Sequence, residues 1–463
     1  MLFENLDWLP TNAVLRRHAS HWLMLAVAAV AVSSLFALLL VAARAPGLGL
    51  LFPGVDFYRV ALTLHVNLSQ VVWFMAFASA LWSMGHPRPA SNIHRLALSL
   101  AVAGTAGVAI SPLIGARVPL MSNYIPVLDH PAFLVGLGLF GLGTGLQALT
   151  VLFVPPRRLA SEADAVRIGL WCAASIYLFA LCVLGVTWLT LPEGVGGILH
   201  YELFFWGAGH IWQFCLALLM AVAWLGLARV AGIEVGLAPR WLALVFVVGM
   251  APVLAAFWIH WVYPVDSPMF RHAYTQMMVW GSWIAVLPLG LRLIWRSFCV
   301  VPSRDPAASV ARTVLRITVF MFVMGLLLGT AISTETTWVT AHYHGTVGAV
   351  TLSFMGLTYS LLPRLGYAEP REWMARGQTW FYGVGLMLMM AGLAWAGSFG
   401  APRKGPGNVQ LVGAGYEAVA RVLMGIGGTL AVIGILLFLV IVYRGVRPRF
   451  TKSVLDLPSI KSV

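Results

Sequence analysis

The chain has 463 residues, 60% of them hydrophobic and only 10% charged, with 19 Trp, 24 Phe and 18 Met. Soluble domains carry about a quarter charged residues, so this composition excludes one and points to a polytopic membrane protein. The net charge of +13 then serves to anchor loops to anionic lipid, and nothing in its distribution suggests nucleic acid as a partner.

Apolar stretches long enough to cross a hydrocarbon layer of roughly 30 Å predict twelve helical spans. They fall at 20–43, 58–84, 94–117, 131–154, 166–190, 199–229, 241–263, 274–298, 313–333, 337–363, 377–397 and 418–443. The expected fold class is an all-α membrane protein, a bundle of twelve transmembrane helices forming one domain over residues 1–463. Segments between spans, such as "GHPRPASNIH" and "VPPRRLASEADAVR", hold the Pro, Gly and charge clusters of connecting loops. The first apolar run follows a mixed polar segment and is itself of full span length, so it reads as a retained helix rather than a cleaved signal peptide.

Twelve spans place both ends of the chain on one side. The termini and every second loop hold 22 of the 29 Lys and Arg, including Arg157, Arg158, Arg292, Arg296, Arg304, Arg447 and Arg449, while the alternate loops hold 7. The positive-inside bias therefore puts both termini in the cytoplasm of a bacterial inner membrane. Cys172, Cys182, Cys215 and Cys299 show no metal-type spacing, and no disulfide framework is expected.

Of the 12 histidines, His18, His21, His86 and His94 fall at inner ends or loops and His130, His200 and His272 at outer ends, where polar residues suit the wet interface. The other five lie inside spans: His65 in the second, His210 in the sixth, His260 in the seventh, His342 and His344 in the tenth. Four helices thus offer imidazoles in one slab near the outer face, with His210 about a turn deeper at roughly 1.5 Å per residue. A lone buried His is usually satisfied by a neighbouring hydroxyl or carbonyl. Five at matched depth point instead to metal or haem ligation, because ionisable groups within a bilayer are expensive and mark function. In "TWVTAHYHGTVGAV" the two histidines are separated by one residue, about 200° of helical rotation. They face opposite sides and cannot chelate one metal together, but they can bind two cofactors flanking the helix. Five imidazoles suit two haems and a third metal.

These residues resemble the catalytic subunit of the haem–copper oxidase superfamily, which includes oxygen reductases and nitric oxide reductases. The resemblance covers essentially the whole chain. "WVTAHYHGTVGA" is similar to the tenth-helix signature and "FFWGAGHIWQF" to the sixth-helix signature around a copper ligand. It implies that His65 and His344 bind a low-spin haem, that His342 binds a high-spin haem, and that His210 and His260 bind metal B. Haem b-type groups are implied at both haem sites, and copper is expected ahead of iron at metal B. "GAPRKGPG" resembles the paired-basic segment that neutralises haem propionates, which makes Arg403 and Lys404 candidate cofactor-binding residues.

Three departures from the family pattern bear on function. Oxygen reductases usually carry adjacent histidines on the seventh helix, whereas this chain reads His260-Trp261. Metal B then has two clear protein ligands, with Asp266, Tyr263 and Gln213 as alternative further donors; a carboxylate there would favour iron over copper. Many oxygen reductases place a redox-active tyrosine four residues after the sixth-helix histidine, and here that position is Phe214. Tyr263 is the tyrosine that another helix could supply. Finally, the second–third loop and the mid sixth helix lack the carboxylates of proton-pumping oxidases, and the eighth helix offers Thr275, Gln276 and Ser282 before turning apolar. Outer carboxylates do exist, at Glu202, Asp266 and Glu335.

The expectation is a divergent nitric oxide reductase branch without proton pumping. In that reading Gln213, one turn from His210, faces either bound substrate or the next helix. Oxygen reduction by a terminal oxidase is the same-class alternative, and a non-catalytic dihaem electron carrier the alternative of another class. The chain contains no Cys-x-x-Cys-His haem attachment, so electrons are expected from a cytochrome c or cupredoxin-type subunit on the outer face.

Overall fold

The computed structural model describes residues 13–43, 56–85, 91–156, 159–301, 303, 305–333, 335–403 and 414–447. Arg157, Arg158, Arg304, Arg449, His86 and Lys404 lie outside them. Among the described residues, twelve helices are long and apolar enough to cross a membrane: Ala13–Leu40, Phe57–Gly85, Asn92–Ile114, Pro131–Leu152, Glu162–Thr190, Gly197–Val230, Pro239–Val262, Pro268–Cys299, Pro306–Thr330, Thr337–Arg364, Glu372–Ser398 and Ala418–Val446. The number and order of spans agree with the hydropathy reading.

Several spans begin earlier than the apolar runs do, and the reason is capping. Ser267 accepts from Phe270 N at 3.1 Å with Pro268 at the first helical position, so the eighth helix starts six residues before the apolar stretch at 274. The ninth starts at Pro306, its first turn held by Asp305 accepting from Ala307 N and Ala308 N. Such caps satisfy amide donors left over at a helix start.

Two histidines assigned to the wet interface are instead buried structural groups. His94 is 2% exposed and its Nδ1 accepts from Ser91 N at 3.2 Å, capping the third span. His18 is 6% exposed and sits against Gln147 at 3.2 Å. His130 caps the fourth span by accepting from Ala132 N at 3.2 Å.

The centre of the bundle is formed by the sixth and tenth spans, each 83% buried over its most apolar window. Glycines let neighbouring backbones meet, as in other membrane bundles, where packing must replace a hydrophobic driving force. A Cβ on Gly345 of the tenth span would stand 2.6 Å from Gly325 Cα of the ninth, and one on Gly427 of the twelfth 2.6 Å from Gly385 O of the eleventh. Outside the helices, a two-residue antiparallel ribbon pairs Pro119 with Leu128 and Leu120 with Val127, and so frames the Ser122–Ile125 turn between the third and fourth spans. Cys172, Cys182, Cys215 and Cys299 are all free.

Candidate active site

The tenth span is pinned before its histidines appear. Thr336 caps it, Thr337 N donates to Ala401 O at 2.9 Å, and Thr337 Oγ1 donates to Leu393 O at 2.8 Å on the eleventh span. Six residues on, the ninth helix passes close enough for His342 Nδ1 to donate to Gly325 O at 2.7 Å. Gly329 leaves room for that ring, since a Cβ there would lie 2.8 Å from His342 Nδ1. His344 turns the other way and donates from Nδ1 to Thr340 O at 2.7 Å. Between them Tyr343 stacks on His344 at 5.4 Å between ring centroids.

A carbonyl only accepts, so each of these rings carries its proton on Nδ1 and presents an unprotonated Nε2. That is the tautomer a ligating histidine needs, with its other nitrogen fixed by an outer partner. Both side chains are half-buried, as are Thr340, Tyr343 and Thr346 around them, whereas the helix beyond Gly348 is almost entirely buried.

His65 is prepared in the same way by a different helix. Its Nδ1 donates to Ser33 O at 3.1 Å, and Ser33 Oγ, 3.0 Å from Nδ1, donates to the His65 carbonyl at 3.0 Å. That carbonyl is available because a π-helical segment, Asn67–Val72, starts two residues later. Ser69 Oγ takes up the same carbonyl at 2.6 Å. Single π-turns in otherwise regular helices commonly sit at functional positions. His344 lies within electrostatic reach of His65.

The remaining pair occupies the sixth and seventh spans. His210 is 2% exposed and donates from Nδ1 to Trp206 O at 2.7 Å. His260 Nε2 is buried and has no hydrogen-bond partner. The two rings flank Tyr274 of the eighth span, each at 5.9 Å between centroids. Four histidines with Nδ1 on a carbonyl and a fifth with an orphaned buried Nε2 form a donor set that fits axial haem ligation and a non-haem metal. The residues present thus pass a chemical test for those groups.

The positions that depart from the family pattern are also placed. Trp261 is 87% exposed and, with His260, lines a cavity at that end of the seventh span. Phe214 is buried beside Gly281 and Pro252, where a Cβ on Gly281 would meet its ring at 3.1 Å. Among the described residues no three His, Cys, Asp or Glu side chains come together as a metal cluster, so Asp266 does not complete a site with His210 and His260. Asp266 and Tyr263 instead line an outer cavity of about 350 Å³ that reaches His260. Gln213 is half-buried one turn from His210.

Above the site, polar groups from four segments lock together. Asn123 N donates to Glu202 Oε2 at 2.7 Å, and the Asn123 amide also donates to Glu202 Oε1. Arg403 donates to Asn123 Oδ1 and pairs with Glu335 at 3.1 Å. Arg403 thus stands at the end of the bundle that carries Asn123, Glu202 and Glu335, and its companion Lys404 lies outside the described residues. Tyr124, next to Asn123, rests its ring 4.8 Å from that of His210. Burial pushes the Tyr124 phenol well above its usual range, Glu202 reinforces the shift, and Arg403 opposes it.

Sequence reasoning missed Ser33, Asn123, Tyr124 and Tyr274. None carries a periodic or spacing signal. Each acts through a contact with a residue far along the chain.

The family model for the cytochrome c and quinol oxidase polypeptide I matches residues 17–446. An uncharacterized protein of Rickettsia prowazekii is 23% identical over 91% of this chain and 94% of its own. Another from Aquifex aeolicus is 28% identical over 75% of this chain and 85% of its own. Cytochrome c oxidase subunit 1 of Thermus thermophilus is 25% identical over 85% and 77%. Among solved structures, a heme-copper terminal oxidase dimer superposes with a TM-score of 0.72 at 18% identity, covering 97% of this chain and 87% of that one.

Proposed function

Because the chain belongs to the cytochrome c and quinol oxidase polypeptide I family, a family of membrane oxidoreductases, we propose that it is a catalytic subunit reducing two nitric oxide molecules to nitrous oxide and water. The carrying observation is the pair Phe214 and Trp261: no phenol stands one turn beyond His210, and no second imidazole stands beside His260. Coupling two nitric oxide molecules takes two electrons and two protons. Splitting dioxygen in one step takes four electrons, and a tyrosine at position 214 would supply the fourth together with a proton.

In this reading His65 and His344 hold a low-spin haem b, His342 holds a second b-type haem, and His210 with His260 holds metal B, copper ahead of iron. When bound, these groups supply electrons and Lewis acidity to the substrate. The chain's own residues set the geometry. Gly325, Thr340 and Ser33 fix the haem-facing imidazoles through their Nδ1 protons, and Trp206 fixes His210. Arg403 offers its charge near the outer ends of the haem-binding helices, in line with a role toward propionates. Gln213 supports substrate binding beside His210. Protons and electrons arrive from the outer face, the electrons from a cytochrome c or cupredoxin-type partner of a bacterial inner membrane. Consistent with no pumping, Thr275 and Gln276 are engaged within their own helix, with Thr275 donating to Arg271 O at 2.9 Å and Gln276 accepting from Trp280 at 2.8 Å.

Purified protein supplied with a reduced cytochrome and either gas tests this: nitrous oxide formation supports it, and rapid oxygen consumption without nitrous oxide sinks it. A second reading, oxygen reduction, is favoured by the Tyr274 ring, in contact with both His210 and His260, and by the Thermus thermophilus relative. The same assay separates the two.

A further inference from the structure

One buried hydroxyl is left without a partner in a place where a partner is chemically required. Tyr274 lies in the outer part of the eighth span, sealed from solvent, and its hydroxyl makes no hydrogen bond. A buried phenol so placed has lost water without gaining a replacement, an arrangement that native structures rarely keep without reason. Its position is built rather than incidental. Gly207 of the sixth span opens the notch: a Cβ there would stand 2.9 Å from Tyr274 Cζ and 3.1 Å from its hydroxyl oxygen. Phe270, one turn earlier, holds both Tyr274 and His260 by edge contacts at 5.0 Å.

Three donors therefore meet in one contact cluster. His210 has its Nδ1 committed to Trp206 O, His260 has an orphaned Nε2, and Tyr274 has an orphaned hydroxyl at equal ring distance from both. Asp266 does not join them. We propose that the Tyr274 hydroxyl is the third protein donor to the metal held by His210 and His260. This rests on the metal-B reading above and gives that metal two imidazole nitrogens and one phenol oxygen. The O–H bond breaks as the metal–oxygen bond forms, and its proton leaves to water. An oxygen donor of this kind makes the site harder than an all-imidazole one and favours the more oxidised state of copper or iron.

The test compares wild-type protein with Y274F by elemental analysis and haem extraction after dialysis against a chelator. The expected result is two haems in both proteins and one non-haem metal ion per chain in the wild type alone, its retention falling tenfold or more in the variant. Full metal retention by Y274F overturns the proposal while leaving the metal-B reading intact. A wild type with no non-haem metal overturns that reading, and the proposal with it. Should Y274F fail to fold, resonance Raman spectra of oxidised wild-type protein grown with ring-deuterated tyrosine decide. Metal-enhanced phenolate modes that shift with the label are expected, and their absence overturns the proposal.

Discussion

His342 and His344 differ by two positions, yet their Nδ1 protons go to carbonyls on different helices, Gly325 on the ninth and Thr340 on their own. Each ring therefore has its own test. H344A is expected to lose one haem per chain with the other retained, measured by haem extraction and the reduced optical spectrum. H260A is expected to keep both haems and lose the non-haem metal. Ser33 holds the His65 ring through its backbone carbonyl and hydroxyl, and shares the His65 carbonyl with Ser69. S33A removes the hydroxyl and keeps the backbone carbonyl that accepts from Nδ1, so low-spin haem retention is expected to fall by no more than about 10-fold, read by haem loss to an acceptor apoprotein. Tyr124 gives the pH dependence. Burial raises its pKa in the fold, so the folded state holds the phenol proton more tightly than the unfolded chain does. That contribution is complete below the ordinary phenol value of about 10 and is lost as pH rises through and beyond it. The thermal midpoint in detergent is expected to drop as pH rises above about 10, and Y124F is expected to flatten this drop.

Helices carry the next level of the argument. The second span slips into a π-turn at Asn67–Val72, directly after His65, where Asn67 Nδ2 donates to Thr63 O at 2.9 Å and Pro126 O at 2.7 Å. The ninth and tenth helices cross at Gly325 and Gly345, and that closeness is what lets His342 reach a neighbouring backbone carbonyl. A methyl group at Gly345 would meet Gly325 Cα at 2.6 Å and the Met390 side chain at 2.8 Å. G345A is expected to cost about 1–3 kcal/mol by overpacking. It should lower the thermal midpoint and weaken the haem on His342, whose carbonyl partner is displaced. The same substitution at Gly138, with nothing within 4 Å, is expected to be neutral.

Across the bundle, the outer network joins segments that are remote in sequence: Asn123 before the fourth span, Glu202 at the start of the sixth, Glu335 before the tenth and Arg403 after the eleventh. Glu335 is 76% exposed, so its pairing with the nearly buried Arg403 contributes little. The amide bridge at Asn123 is the stronger tie. N123A is therefore expected to release Tyr124 from His210 and perturb the non-haem metal, whereas E335A should leave metal content unchanged. The orientation proposed from basic residues has a direct check at Cys299, which is exposed at the end of the eighth span. A membrane-impermeant maleimide is expected to label it in inside-out vesicles and not in intact cells.

How much of this could be read from the chain follows from what each feature depends on. Twelve spans and five intramembrane histidines were legible because hydropathy and a buried ionisable group are local costs, present wherever the residue sits in a bilayer. The opposed faces of His342 and His344 follow from helical rotation alone. Helix starts at Pro268 and Pro306 were misjudged because caps extend helices past their apolar core. His18 and His94 do stand near the starts of the first and third spans, but their burial was not legible because it comes from packing between spans. What could not be read was which side chains gather around His210 and His260. Trp261 stood next to His260 in sequence yet faces outward, while Tyr274, fourteen residues on, fits a notch that only Gly207 opens. Proximity across helices depends on small residues permitting close approach and on caps setting rotation, and neither leaves a periodic mark at the residue it brings in.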